Sequence, residues 1–151
     1  MKKQSIKIAS RKLLSALRNQ TLWNKLGLAG IRLIRKRTRK GTDVDGKPFK
    51  KYSKGYAKKR AKAGLPTHPV NLQFADVGSM LMSIDHIVYN NFEGVSVLFG
   101  DPAKEKLATY HNIDGAGKSK VIRKFWGLNE SEEKQLADLA AREIENIIKK
   151  L

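Results

Sequence analysis

The segment Asp43-Val44-Asp45-Gly46 opens like a calcium-binding loop, with carboxylates at alternate positions. Such a loop needs further oxygen donors and a bidentate Glu at its twelfth position. Here that position is Lys54, and lysines crowd the chain between, so a tight turn set by Asp and Gly is the better reading. His68, His86 and His111 each lack a His or Glu three or four residues on, so none starts a helical metal pair. No serine sits in a Gly-x-Ser-x-Gly elbow, and no complete Gly-x-x-x-x-Gly-Lys-Ser/Thr phosphate loop occurs. His111 could act as a base, but neither a nucleophile nor an orienting group accompanies it, and a polar residue at a helix end is the plainer reading. Asp76, Asp85, Asp101 and Asp114 are scattered without the pairing that glycoside hydrolysis requires. No enzyme activity, metal or cofactor is expected.

The chemistry with most support is electrostatic. The net charge is +17, and its placement is uneven. Residues 1–70 carry 21 Lys and Arg against Asp43 and Asp45 alone, whereas residues 71–151 carry 10 against 12 Asp and Glu. Such a two-sided chain is drawn to nucleic acid or to an acidic protein surface, and it also permits head-to-tail contact between copies. The densest stretch interleaves Lys47, Lys50, Lys51, Lys54, Lys58, Lys59, Arg60 and Lys62 with Phe49, Tyr52 and Tyr56. Lysines neutralise phosphates and aromatic rings stack on bases, so this is a candidate DNA-facing surface. A flexible arm that orders only on assembly fits the same composition. A solvated loop that only aids solubility is the plainest reading of all.

The elements that must position these residues are readable from periodicity. Ile6, Ala9, Leu13, Leu14 and Leu17 predict a helix over 5–18. A second helix is expected from about Leu22 to Arg37, with Thr21 as its N-cap and an apolar face of Leu22, Leu26, Ala29 and Leu33. Gly27 and Gly30 weaken it by roughly 1 kcal/mol each relative to alanine, and close contact with another helix would explain them. Residues 38–70 show no clean period and read as a long basic loop with a short helix around Tyr56 to Ala63.

From Asn71 the character changes. Val77 to Met82 reads as a helical turn, Ile84 to Tyr89 and Val95 to Phe99 as a hairpin joined through Asn90 to Gly94, and Ala103 to His111 as a short helix. Asp114 to Gly117 reads as a loop and Lys120 to Phe125 as a further strand. Asn129 and Glu132 have capping-box spacing before a last helix reaching Lys150. Its buried stripe is expected at Leu136, Leu139, Ala140, Ile144, Ile147, Ile148 and Leu151. The expectation is an α+β fold in a single domain of 1–151: N-terminal helices over 1–37, the basic loop over 38–70 and an α+β core over 71–151. A small antiparallel sheet, the hairpin plus one or two further strands, would pack with a long N-terminal and a C-terminal helix.

No apolar run approaches the ~20 residues of a membrane span, and Lys7, Arg11 and Lys12 interrupt any signal-peptide core. There is no cysteine, so disulfides and thiolate chemistry are excluded.

The order of these segments resembles the virion morphogenesis, or tail-completion, family of tailed bacteriophages. Gly41 to Ser53 (GTDVDGKPFKKYS) is similar to that family's G-x-D-x-D-G-x-P-[FW] segment, through Asp43, Asp45, Gly46, Pro48 and Phe49. A Lys/Arg-rich stretch follows, as in Tyr56 to Lys62. Gly78 and Leu81 fit its T-G-x-L-x-x-S element, with Val77 where threonine is usual. Val97 to Gly100 resembles the hairpin's end, and Leu107 to Gly115 loosely matches Y-A-x-x-H-x-x-G. Arg123, Phe125 and Gly127 match the segment before the last helix, with Ile122 where proline is common. The resemblance spans roughly residues 20–150. It implies a non-enzymatic virion component at the head–tail junction, assembled in the host cytoplasm. It also implies no cofactor, a homo-oligomeric ring with six copies the natural expectation, other neck and tail proteins as partners, and DNA in the channel. Removing Lys50 to Lys62 is then expected to leave a folded subunit that cannot be incorporated.

Overall fold

The computed structural model describes residues 11–72, 78–89, 91 and 94–151. Residues 11–17 are helical, and the rest of the helix expected over 5–18 lies outside the described residues or in the turn at Arg18. Asn19 then interrupts the chain. Its extended backbone lets the side-chain Oδ1 accept from the Leu22 N–H at 3.2 Å. Asn19, not Thr21, is therefore the N-cap of helix α1, Gln20–Arg39. Trp23 Nε1 donates back to the Leu17 carbonyl at 2.7 Å and ties the two helical segments together.

α1 organises the molecule because it buries two sides. The side bearing Gly27, Ile31 and Ile34 meets an antiparallel hairpin of β1, Ile84–Val88, and β2, Val95–Phe99. Ile84 pairs with Phe99 and Val88 with Val95. The side bearing Ala29 and Leu33 meets the C-terminal helix and is only half-buried, so the deepest face lies further round than the Leu22–Leu26–Ala29–Leu33 stripe predicts. Gly27 is a close-approach residue: a Cβ there would stand 2.6 Å from the His86 ring of β1. Gly30 is not, since its Cβ would make ordinary contact with Val97 and Leu136.

After α1 come helix α2, Lys54–Lys62, and α3, Gly78–Met82, then the hairpin. Helix α4, Pro102–Thr109, is capped by Asp101 and runs into a π-helical turn, Tyr110–Asp114. The last helix, α5, is Glu130–Lys150 and opens with the expected capping box between Asn129 and Glu132. The core gathers Ile31, Ile34, Phe49, Val70, Leu72, Met80, Leu81, Ile84, Ala108 and Phe125. Phe99, Phe125 and Trp126 meet beside it, the first and last with ring centroids 4.7 Å apart. The fold is α+β.

Three expectations need correction. Lys120 to Phe125 is not a strand: Val121 makes a single bridge to Ala116, and Arg123 and Phe125 turn inward to other elements. Among the described residues the sheet accordingly stays two-stranded, and Thr42–Pro48 adds only a second isolated bridge. The apolar stripe of α5 is half-buried rather than buried, and Leu151 is exposed, because α5 packs chiefly against α1.

The third concerns the basic segment. Much of 38–70 is built into the fold rather than looped out: Phe49 and Val70 join the core and Arg60 is 1 % exposed. A deletion of Lys50 to Lys62 would thus remove the anchors Tyr52 and Arg60 together with the surface. Val77, Asn90, Phe92 and Glu93, named in the expected turns, lie outside the described residues.

Candidate functional site

The segment from Gly41 to Lys62 is a lysine-studded surface laid over inward-pointing anchors. Its first part is the tight turn expected from Asp43 and Gly46. Asp43 Oδ1 accepts from the Lys47 N–H at 2.7 Å, and the Asp43 N–H donates to the Lys47 carbonyl at 2.8 Å. Gly41, just past the end of α1, and Gly46, in the turn closed by the Thr42–Pro48 bridge, hold φ of +82° and +79°, which other residues resist. Phe49 then drops into the core and Pro48 stays exposed. Ser53 caps α2 by accepting from the Tyr56 N–H.

Lys47, Lys50, Lys51, Lys54, Lys58, Lys59 and Lys62 are exposed. Among the described residues none of their side chains pairs with a carboxylate. Arg60, grouped with them by composition, points the other way. Its Nε donates to the Pro66 carbonyl at 2.9 Å, and its guanidinium lies 4.7 Å from the centre of the Tyr52 ring. Arg123 approaches the same ring at 5.3 Å and donates to the Lys50 carbonyl from Nε and Nη2, at 3.1 and 2.9 Å. Two arginines thus clasp Tyr52, and Arg123 fixes the backbone from which Lys50 and Lys51 project. Burial lowers the Arg123 pKa below its ordinary value. Burial raises that of Tyr52, against the opposing charge of Arg60.

Beneath this surface lies a cavity of about 450 Å³, lined by Lys51, Tyr52, Tyr56, His111, Arg123 and the loop 116–119. Tyr52 and Tyr56 meet edge-to-face at 5.1 Å on its wall. His111 is 8 % exposed, and its Nδ1 is buried with no partner among the described residues. Burial, and secondarily the Arg123 charge, lower its pKa to about 4, so the imidazole is neutral at pH 7. It sits in the π-helical turn, held where Arg123 N–H donates to the His111 carbonyl and Asn112 Oδ1 accepts from the Trp126 N–H.

Sequence reasoning brought Arg123, Phe125 and Gly127 together as a motif and placed them before the last helix, where they are found. It missed what they serve. Arg37 is buried, donates to the carbonyls of Phe125 at 2.6 Å and Gly127 at 2.9 Å, and forms a buried ion pair with Glu132. Arg35 similarly ties α1 to the carbonyls of Leu81, Met82 and Ile84. Leu81 is buried and Gly78 opens α3.

Two runs come one residue short of a phosphate loop. Gly41 to Lys47 has the glycine and lysine spacing, but Pro48 stands where Ser or Thr belongs, and the segment is a hairpin turn. Gly117-Lys118-Ser119 has the right ending, but Asn112 replaces the first glycine. Among the described residues no group of His, Cys, Asp and Glu side chains could hold a metal, and no helix is long and apolar enough to cross a membrane. The chain matches no protein-family model, no curated protein and no solved structure.

Proposed function

We propose that this protein is a structural component of a multi-subunit assembly. More particularly, it would be a tail-completion protein of a tailed phage, joining head to tail as a ring, with six copies the natural number. Its place is the virion, reached by assembly in the host cytoplasm. The observation that carries this reading is the exposed, unpaired lysine surface of 47–62, fixed from below by Phe49, Tyr52 and Arg60. A rigid charged face of this kind suits docking on an acidic partner, and pre-ordering it removes the entropic cost that a free arm would meet. The order of sequence motifs supports the phage assignment. Arg123, Phe125 and Gly127 belong to the scaffold of that face, not to a reacting centre.

The test is charge reversal on the surface alone. A variant with Lys50, Lys54, Lys58 and Lys62 all changed to Glu should fold normally and fail to enter particles, as read by complementation and by sedimentation of the purified protein. Full infectivity of particles carrying these changes would overturn the reading.

A second reading has the same lysines as its basis: a nucleic-acid-binding protein outside any virion. A protein contacting six or more phosphates loses roughly a thousandfold or more in DNA affinity between low and moderate salt. Steep salt dependence with no self-assembly would favour this second reading.

A further inference from the structure

We propose that the cavity beneath the lysine surface is a nucleotide-binding pocket, taking the base inside and the phosphate at the loop 115–119. This holds whether the lysine surface itself meets protein or nucleic acid.

The phosphate end is argued from the loop. Gly115 and Gly117 hold φ of +83° and +71°, and Gly115 lies so close against the Lys120 backbone that no side chain would fit there. The bridge between Ala116 and Val121 pins the loop at its base, with N–H to carbonyl distances of 2.9 and 3.1 Å. The N–H groups of Gly117, Lys118 and Ser119 have no hydrogen-bond partner among the described residues. Lys118 and Ser119 add a cation and a hydroxyl, and Lys51 lines the same cavity. Backbone donors, a hydroxyl and two ammonium groups are what a phosphate monoester or diester needs. The arrangement is not a strand-to-helix phosphate loop: a π-helical turn precedes it, and no helix follows directly.

The base end is argued from the cavity. Its volume of about 450 Å³ lies within the range of small-ligand pockets. Its walls carry the Tyr52–Tyr56 pair and His111, whose buried Nδ1 has no partner among the described residues. A planar, hydrogen-bonding group suits an interior walled by two aromatic rings and an imidazole.

The full-length protein is titrated calorimetrically with AMP, adenosine, inorganic phosphate, a deoxyadenosine hexanucleotide and a Glu-rich peptide. The His111 ring signals are followed by NMR. AMP should bind, shift the His111 ring signals, and bind at least about tenfold more tightly than adenosine, a ratio worth about 1.4 kcal/mol. Phosphate alone should leave His111 unmoved.

Lys118→Glu alters an exposed side chain. It should keep the wild-type melting midpoint and weaken AMP about tenfold or more, by loss of a charge-assisted contact. Tyr56→Leu should weaken AMP while leaving phosphate binding unchanged. Hexanucleotide binding with the same His111 shift would make the source a single strand, and AMP binding without it would make the source a free nucleotide; both support the pocket. Unmoved His111 signals at saturating AMP, equal AMP affinity in Lys118→Glu, or a His111 shift produced by the peptide and not by AMP would each overturn it.

Discussion

Arg37 and Glu132 form a buried ion pair that fastens the C-terminal end of α1 to the first turn of α5. Each has further duties. Arg37 also donates to the Phe125 and Gly127 carbonyls, and Glu132 Oε2 accepts from the Asn129 N–H at 3.0 Å to complete the capping box. Burial holds the Arg37 pKa below its usual value despite the neighbouring carboxylate. Breaking such a pair from one side leaves a buried charge uncompensated, which costs about 3–5 kcal/mol. Glu132→Ala is therefore expected to destabilise by that order. Replacing both residues together, Arg37→Met with Glu132→Leu, should cost clearly less than the two single changes summed. Urea unfolding of the four proteins measures the difference.

The two glycines of α1 separate cleanly. Gly27→Ala must displace the His86 ring and strand β1, and is expected to destabilise by about 1–3 kcal/mol. Gly30→Ala meets only ordinary contacts and gains helix propensity, so stability should be unchanged or rise by up to about 1 kcal/mol. Thermal melts of both variants decide it. Equal destabilisation would mean that the hairpin does not rest on α1 as described.

His111 predicts an acid-sensitive fold. Its folded pKa, about 4, is below the ordinary 6.5, so the unfolded chain binds more protons between these values. The favourable contribution of the neutral ring is complete above pH 6.5 and fades as pH falls toward 4. The loss is on the order of 2–3 kcal/mol. His111→Gln should flatten that part of the stability-against-pH curve, measured by urea midpoints from pH 4 to 7.

The basic segment contains two kinds of cation. Arg60→Ala should cost about 2–4 kcal/mol, because it leaves the Pro66 carbonyl without its donor and removes one of the two guanidinium groups packed on Tyr52. Lys58→Ala and Lys59→Ala, both exposed, should change stability by less than about 0.5 kcal/mol. For the same reason, deleting Lys50 to Lys62 should unfold the protein rather than leave a folded, assembly-defective subunit. A far-UV spectrum and melt of the deletion check this.

Local pattern made several features legible. Alternating and β-branched residues marked Ile84 to Phe99 as a hairpin, and the Asn129–Glu132 spacing marked the start of α5, because hairpin turns and caps are decided by residues a few positions apart. The turn at Asp43 to Lys47 was readable for the same reason. The charge division between the two halves, and hence the long-range attraction to anions, is also a property of the sequence alone.

What the sequence could not assign was the direction of each cation. Arg60 and Lys59 are adjacent and alike in composition, yet one is buried under Tyr52 and the other is in water. That choice depends on carbonyls and rings brought from Pro66, Asn71 and residues 50–52. Arg37 finds its partners 88 to 95 residues away. The stripe on α5 has helical period in the sequence, but how deeply it is buried depends on how many elements cover it, and among the described residues α1 is its chief cover. Periodicity reports which residues share a face. Only tertiary packing decides what that face meets, because burial and pairing are set by groups distant in the chain.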